Sequence, residues 1–291
     1  MTIRHLKTFI AVIKCGGITA AAKELRVAQP AVSQTISEME KYYDVVLFDR
    51  IKQRLVITEA GKDLYFKAKD VVECFDEFEN LAFNGDYTST IKIGTSVTIG
   101  KQFVPKILKN LRENYPTVKP VLKIDKASVI EKELSLGNLD FAIVETSVHS
   151  PNILSFEFDR DRLIAISGAN YLKKEELTLQ ELNSCDLLLR EKGSASRDYL
   201  DSLLALNGLT ATPTMESISN QAIISSVIEG QGVSVLPENI VAPYVERGQV
   251  KAFKITDEDL DRVAYIITHK NKKLSSIQNS IFVDCKNKRF D

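Results

Sequence analysis

Two short helical patterns meet at a three-residue joint in the stretch TAAAKELRVAQPAVSQTISEME (Thr19–Glu40), and that arrangement leaves few folds open. Upstream, Leu6, Phe9, Ile10 and Ile13 recur at helical spacing until Gly16-Gly17 ends the pattern. Thr19 is the expected N-cap of a second helix running to Leu25, and Ala20-Ala21-Ala22 lets a neighbour approach closely. A third helix follows Arg26-Val27-Ala28; Pro30 fits only in its first turn, where a missing N–H costs nothing. Its expected buried stripe is Val32, Ile36, Met39 and Tyr43, and its opposite side carries Gln29, Ser33, Gln34 and Ser37. A core helix has little use for so many uncharged hydrogen-bonding groups. On the second helix of a helix-turn-helix they can read base edges in a major groove, where lysines would mostly find phosphates. After LFDR (Leu47–Arg50), IKQRLVIT reads as a β-hairpin wing with Lys52 and Arg54 at its tip, placed to rest on the DNA backbone or in the minor groove.

From Glu59 a long helix is expected. Leu64, Ala68, Val71, Phe75, Phe78 and Ala82 are spaced by alternating fours and threes, a heptad seam flanked by Lys67, Lys69, Asp70, Glu73, Asp76 and Glu77. A helix packed on its own domain shows the same spacing; the narrow seam and charged flanks favour a dimer-forming linker. NGDYTST (Asn84–Thr90) reads as a hinge. Beyond it strands and helices alternate: TIKIGTS, KPVLKID, LDFAIVE, DRLIAIS, GVSVLP and RVAYIIT are the strands. Such alternation predicts an α/β unit with mainly parallel sheets. The expected domains are therefore 1–58, a linker helix and hinge over 59–88, and an α/β unit over 89–291.

Charge adds a weak pointer to nucleic acid: ten Lys or Arg face six Asp or Glu up to Lys62, whereas 28 face 33 beyond it. No apolar run approaches the ~20 residues of a membrane span, and MTIRHLKTFIAVIKCGG is not a signal-peptide pattern, which predicts a cytoplasmic protein without a membrane partner. Cys15, Cys74, Cys185 and Cys285 lie too far apart for a C-x-x-C pair, and Cys15 and Cys74 read as packing residues. His5, His149 and His269 lack metal-protease spacing, GSAS is not a G-x-S-x-G elbow, and EGQGVS falls short of a dinucleotide fingerprint. Neither catalysis nor a metal or cofactor is expected.

The run LKTFIAVIKCGGITAAAKELRVAQPAVSQTISEMEKYYDVVLFDR…LVITEAG resembles the N-terminal domain of LysR-type transcriptional regulators over about sixty residues without a gap. FVPKILKNLRENYPTV, LGNLDFAIVE, LLLREKGSASRDYLD and AIISSVIEGQGVSVLP resemble landmarks of that family's effector-binding domain. The resemblance implies an all-α winged helix-turn-helix, a dimerising linker helix, and two α/β subdomains like those of type 2 periplasmic binding proteins, here about 89–162 with 267–291, and 163–266. It implies double-stranded DNA, a small-molecule effector and RNA polymerase as partners, and a homodimer or homotetramer. Carried over by position, Gln29, Pro30, Ser33 and Gln34 read DNA, with Arg50, Lys52 and Arg54 nearer the backbone; Ala28 stands where the family usually has Ser or Thr, a departure that costs ~1 kcal/mol if that hydroxyl caps the helix. A small-molecule binding protein of the periplasmic type, whose N-terminal helices only dimerise it, is the alternative.

In such a two-lobed unit the ligand lies where strand ends meet helix N-termini. The turns GTSVTIG, DKAS, VETS, REKGSAS and SISN supply Ser96, Thr98, Ser128, Thr146, Gly193, Ser194 and Asn220 as expected effector contacts. Helix-start N–H groups with hydroxyls attract anions, so a small oxyanion or organic acid is the expected effector. Any one of these hydroxyls could instead be a helix cap, and Glu145 opposes a strongly anionic ligand unless Lys126, Arg190 or Lys192 compensates. The REKGSAS loop most resembles the family's sulfur-assimilation and carbon-fixation regulators.

Overall fold

The computed structural model describes residues 1–51, 54–84, 89–145, 150–172 and 174–290, with only the backbone of residues 50, 51, 54, 77 and 80–84. Helices α1 (Ile3–Lys14), α2 (Ile18–Leu25) and α3 (Gln29–Tyr43) precede an antiparallel hairpin, β1 (Phe48–Ile51) and β2 (Arg54–Ile57). Phe9, Val12, Ala21, Val32, Ile36, Met39 and Leu47 form their common core. The helical spacing of α1 thus buries one face, as read. Two local expectations are corrected. Gly17, not Thr19, occupies the N-cap of α2, and Tyr43 is exposed because Asp44 turns left-handed (φ 53°) and ends α3 before the stripe's last step. Arg26, also left-handed (φ 56°), makes the tight joint between α2 and α3. Ala28 is the N-cap of α3 and supplies no side-chain bond, as its methyl must.

Helix α4 (Glu59–Asn84) is 26 residues, about 39 Å. Gly61 in its first turn lets it lie on the wing: a Cβ there would collide with the Leu47 carbonyl oxygen and stand only 2.8 Å from the Ile57 side chain. Tyr65 and Ala68 then pack into the core of the first domain.

The remainder comprises β3 (Ser89–Thr95), α5 (Val97–Asn114), β4 (Val118–Ile124), α6 (Ala127–Ser135), β5 (Phe141–Val144), β6 (Ile153–Gly168), β7 (Glu176–Leu177), α7 (Leu179–Asn183) and β8 (Leu188–Arg190). After these come α8 (Ala195–Leu206), β9 (Met215–Ser217), α9 (Asn220–Ile228), β10 (Val233–Pro237), α10 (Glu238–Glu246), β11 (Val250–Ile255), β12 (Asp261–His269) and α11 (Ser276–Lys286). One sheet runs β4-β3-β5-β12-β6-β11-β7, with β10 also on β6. The sheet is mixed, which corrects the expectation of mainly parallel pairing. Among the described residues, β3 with β4 and β5, β8 with β9, and β11 with β7 pair parallel, and Leu187 bridges Val233 in the same sense; β6 and β12 run antiparallel to each other and to their neighbours. The reason is topological: the chain crosses to the second lobe along β6 and returns along β12, so these long strands must oppose each other.

Each lobe buries both faces of its sheet. In the first, Ile91, Ile93, Phe103, Phe141, Ile266 and Phe282 fill one side, and Ile130, Leu134, Val144 and Ile267 the other. In the second, Leu163, Leu189, Leu200 and Phe253 face one way while Ile166, Ile223, Val227 and Leu236 face the other. Leu260 belongs to the second core and Ala264 to the first, so the return crossing lies a few residues before the boundary expected at 266–267.

Candidate nucleic-acid interface and effector cleft

On α3, Gln29, Pro30, Gln34 and Ser37 are exposed and Ser33 is half-buried, because Val32, Ile36 and Met39 pin the opposite face to the core. Pro30 occupies the first turn. Gln34 Nε2 donates to Glu38 Oε1 at 2.8 Å, which orients the amide along the helix. Glu38 in turn lies 3.4 Å from His5 Nε2, a tie to α1 that the sequence did not announce. In the wing, Arg50 pairs with Leu55 and Ile51 with Arg54, so Arg54 starts the second strand and does not form the tip. The side chains of Arg50 and Arg54, and Lys52 entirely, lie outside the described residues.

The seam of α4 divides. Ala68 is buried in the core of the first domain, and Leu64 is half-buried against it; Phe75 is half-buried; Val71 is 50% and Phe78 64% exposed. The side chain of Ala82 lies outside the described residues. Cys74, expected to pack, is exposed on this helix. A further face, which includes Lys69 and Glu73 of the charged flanks, docks on the first lobe. Tyr65 Oη donates to the Leu136 carbonyl at 2.8 Å, Phe66 stacks on His269 with centroids 3.9 Å apart, and Glu73 bridges Lys92 at 3.0 Å and Lys272 at 2.8 Å. Burial opposes the charge of Glu73, but the two lysines outweigh it and hold the carboxyl down to about 2. Lys69 is 6% exposed, and burial pushes its ammonium down to about 7.

Between the lobes lies a cavity of about 20 Å³, room for about one water-sized group. Ser96 and Thr98 line it from the start of α5, Lys126 from the start of α6 and Glu145 from the end of β5. Arg190, Glu191, Ser194 and Ser196 face them from the second lobe. Among the described residues, Lys126 Nζ reaches Glu191 Oε1 at 3.4 Å and Asn239 Nδ2 donates to Gln102 Oε1 at 2.8 Å, both between the lobes.

Geometry separates caps from ligand-facing hydroxyls. Ser194 caps α8 by accepting from Arg197 N at 3.3 Å, and Gly193 donates its N–H to Asp198. Ser96 also sits at an N-cap, that of α5, yet its hydroxyl caps nothing; it is 2% exposed and has no hydrogen-bond partner. Ser128 is exposed on α6 and does not line the cavity, because Lys126 makes the inward turn in its place. Gly193 and Asn220 do not line it either, but Asn220 Oδ1 accepts from Arg190 Nη1 at 2.8 Å and so positions a residue that does. Thr146 lies outside the described residues.

Charges crowd this centre. Arg190 is buried and forks onto Glu191 at 2.9 and 3.3 Å; burial opposes ionisation of Glu191, but that guanidinium keeps its pKa below the usual carboxylate range. Glu145 is buried with both oxygens lacking hydrogen-bond partners, and Arg262 Nη2 lies 3.8 Å away. Arg262, on β12, is bound mainly to Asp161 on β6, directly across the two crossing strands. Sequence reading missed Arg262, although it falls in alternation with buried Ala264 and Ile266 on the same strand. Among the described residues, no group of three or more His, Cys, Asp and Glu side chains is placed to hold a metal ion, and no helix is long and apolar enough to cross a membrane.

The profile of the LysR substrate binding domain matches residues 84–282, and that of the bacterial regulatory helix-turn-helix protein, lysR family, matches residues 3–62. The chain belongs to the LysR family. It is a DNA-binding transcriptional regulator, and the reading as a binding protein without a DNA role finds no support. LysR-family relatives include the uncharacterized HTH-type transcriptional regulator YeiE of Escherichia coli, 30% identical over 95% of this chain and 94% of that protein. CysL of Bacillus subtilis is 29% identical over 97% and 93%, and CmpR of Synechocystis 28% over 97% and 94%. CysL, CmpR and CbbR match the subgroup to which the Arg190–Ser196 loop pointed. Among solved LysR-family folds, a full-length single-residue variant of OxyR from Pseudomonas aeruginosa superposes with a TM-score of 0.65 at 22% identity, over 99% of this chain and 95% of that one. CbnR in complex with its target DNA gives 0.56 at 21% identity, with full coverage of both chains.

Proposed function

We propose that this LysR-family regulator reads its operator through Gln29, Ser33, Gln34 and Ser37 of α3, with Pro30 setting the first turn and the wing on the backbone, and that a small anion or organic acid bound between the lobes alters transcription. It acts in the cytoplasm as a homodimer or homotetramer joined in part through the outer face of α4, with RNA polymerase as its further partner. It needs no cofactor and does no catalysis. The observation that carries the effector reading is Ser96: a buried, unpaired hydroxyl at the start of an 18-residue helix, facing a cavity that also receives Lys126 and Arg190. Unpaired donors at a helix N-terminus favour negative charge. Glu145 in the same cavity limits that charge, so a small acid is favoured over a large polyanion.

The cavity's small volume and the Lys126–Glu191 and Asn239–Gln102 contacts describe a closed clam, which a ligand must enter by opening. Its leverage on DNA binding equals its differential affinity for open and closed lobes, typically ~1–3 kcal/mol. A thermal-shift screen over inorganic oxyanions and small organic acids, followed by calorimetry, tests the reading. Ser96→Ala should weaken the ligand found about tenfold and leave ligand-free DNA binding nearly unchanged. Wild-type affinity in both Ser96→Ala and Thr98→Ala would move the site elsewhere.

A further inference from the structure

Helix α6 touches both working parts of the molecule. Its N-terminal end lies at the cleft: Lys126 is its N-cap and reaches Glu191 of the second lobe, and Ala127 faces the cavity. Its C-terminal end is finished by another domain. Tyr65 and Lys69 of α4 both donate to the Leu136 carbonyl, at 2.8 and 3.1 Å; Lys69 Nζ also donates to the Gly137 carbonyl and, at 3.2 Å, to Asn138 Oδ1. Leu136 is the C-cap of α6, so its carbonyl is one that a helix leaves unpaired at its end, and Gly137 and Asn138 form the turn that follows. Gly137 is left-handed there (φ 60°), and a Cβ on it would stand 3.0 Å from the Phe66 ring and 3.3 Å from Lys69 Nζ, so α4 presses directly on the turn.

The body between these ends is stiff. Nine residues span about 13 Å, and Ile130 and Leu134 are fully buried under β5 and β12. Beyond the joint, Tyr65 continues the path: its ring is buried and meets Phe9, in the core of the DNA-reading domain, edge-on at 6.5 Å. Glu191, Lys126, α6, Leu136, Tyr65 and Phe9 therefore form an unbroken series of contacts from the second lobe to the helix-turn-helix.

We propose that α6 is a strut coupling the interlobe cleft to α4, with Tyr65 and Lys69 as its joint. When the second lobe parts from Lys126, α6 shifts as one piece. Its terminal carbonyls then move against Tyr65 and Lys69, and the hold on α4 and the helices behind it changes. Spatial continuity alone does not prove coupling; non-additive behaviour of the two ends does.

The test needs no ligand, so it stands apart from the oxyanion reading: hydrogen exchange of the full chain, followed at the α4 amides of Tyr65–Glu73. Lys126→Met removes the interlobe bridge and should speed that exchange about fivefold, a coupling in the ordinary range. The α11 amides should be unaffected. In a Lys69→Met background, where the joint keeps only the Tyr65 bond to Leu136, Lys126→Met should add much less than it does alone. Tyr65→Phe, which keeps the ring on Phe9 and loses only the hydroxyl, provides the same cycle if Lys69→Met does not fold. Unchanged α4 exchange in Lys126→Met, equal acceleration in α11, or simple multiplication of the two effects would each overturn the strut.

Discussion

Arg262→Met strands two carboxylates at the crossing between the lobes. The Arg262 side chain is 2% exposed; it binds Asp161 through Nε at 2.9 Å and through Nη2, and lies 3.8 Å from Glu145, whose side chain is fully buried. Methionine fills much of the space but leaves Glu145 without its nearest cation. Breaking a buried pair by removing one partner costs ~3–5 kcal/mol, because the remaining charge stays dehydrated. Asp161 is slightly exposed and recovers some hydration, so the lower part of that range applies to it and most of the loss comes from Glu145. For a unit of about two hundred residues each kcal/mol moves Tm by about 2–4 °C, which gives a fall of roughly 6–20 °C. The assay is thermal unfolding by circular dichroism, with hydrogen exchange of β6 and β12 amides assigning the transition to the lobes. Adding Glu145→Gln removes the stranded charge and should return ~1–3 kcal/mol, so the double variant melts above the single one. A single variant within about 2 °C of the parent, or a double variant that melts lower still, would refute a charge-centred crossing.

Phe78→Glu should lower the molar mass to that of a monomer in light scattering, with little loss of Tm, since the ring is 64% exposed within one chain; an unchanged mass would assign the outer face of α4 another role. His269 supplies a pH dependence. Burial first, and Lys270 next, hold its pKa down to about 4, and its Nδ1 accepts from Asn271 N–H at 3.2 Å, as a neutral ring does. Below about pH 6.5 the unfolded chain takes up a proton that the folded chain refuses, so stability is full above 6.5 and falls by roughly 3 kcal/mol toward pH 4. His269→Phe, which keeps the stack on Phe66, should flatten that slope in urea midpoints measured from pH 7 to 4; an unchanged slope would place the acid sensitivity elsewhere.

Sequence periodicity revealed the helix-turn-helix because its constraints are local: Pro30 in a first turn, apolar residues three and four apart, and a joint too short for anything but a tight turn. The same periodicity overextended the α3 stripe to Tyr43, since a left-handed Asp44 carries no unmistakable sequence sign. The seam of α4 was found, but periodicity cannot say which partner a face meets. Leu64 and Ala68 meet their own domain, and Lys69 and Glu73, charged residues of the flank, meet carbonyls and lysines far away in the chain. In the cleft, Ser96, Thr98 and Ser194 were located by strand-end logic and do line one cavity. Ser128 followed the same logic and failed, because one residue of helix phase decides which side chain turns inward. Arg262 was hidden for a different reason: its partners Asp161 and Glu145 sit on other strands, and only the crossing of β6 and β12 brings the three together.

Sequence-specific reading of DNA by α3 is the central claim, and Gln34→Ala tests it most directly. Operator fragments selected from genomic DNA by the wild-type protein, and a random duplex of equal length, are titrated at fixed salt with both proteins. Loss of the Gln34 amide, which Glu38 orients along the exposed face, should cost ~1–3 kcal/mol on the operator at particular base pairs and almost nothing on the random duplex. Equal losses on both duplexes would mean that Gln34 serves only general affinity, and the assignment of α3 as the reading helix would fall.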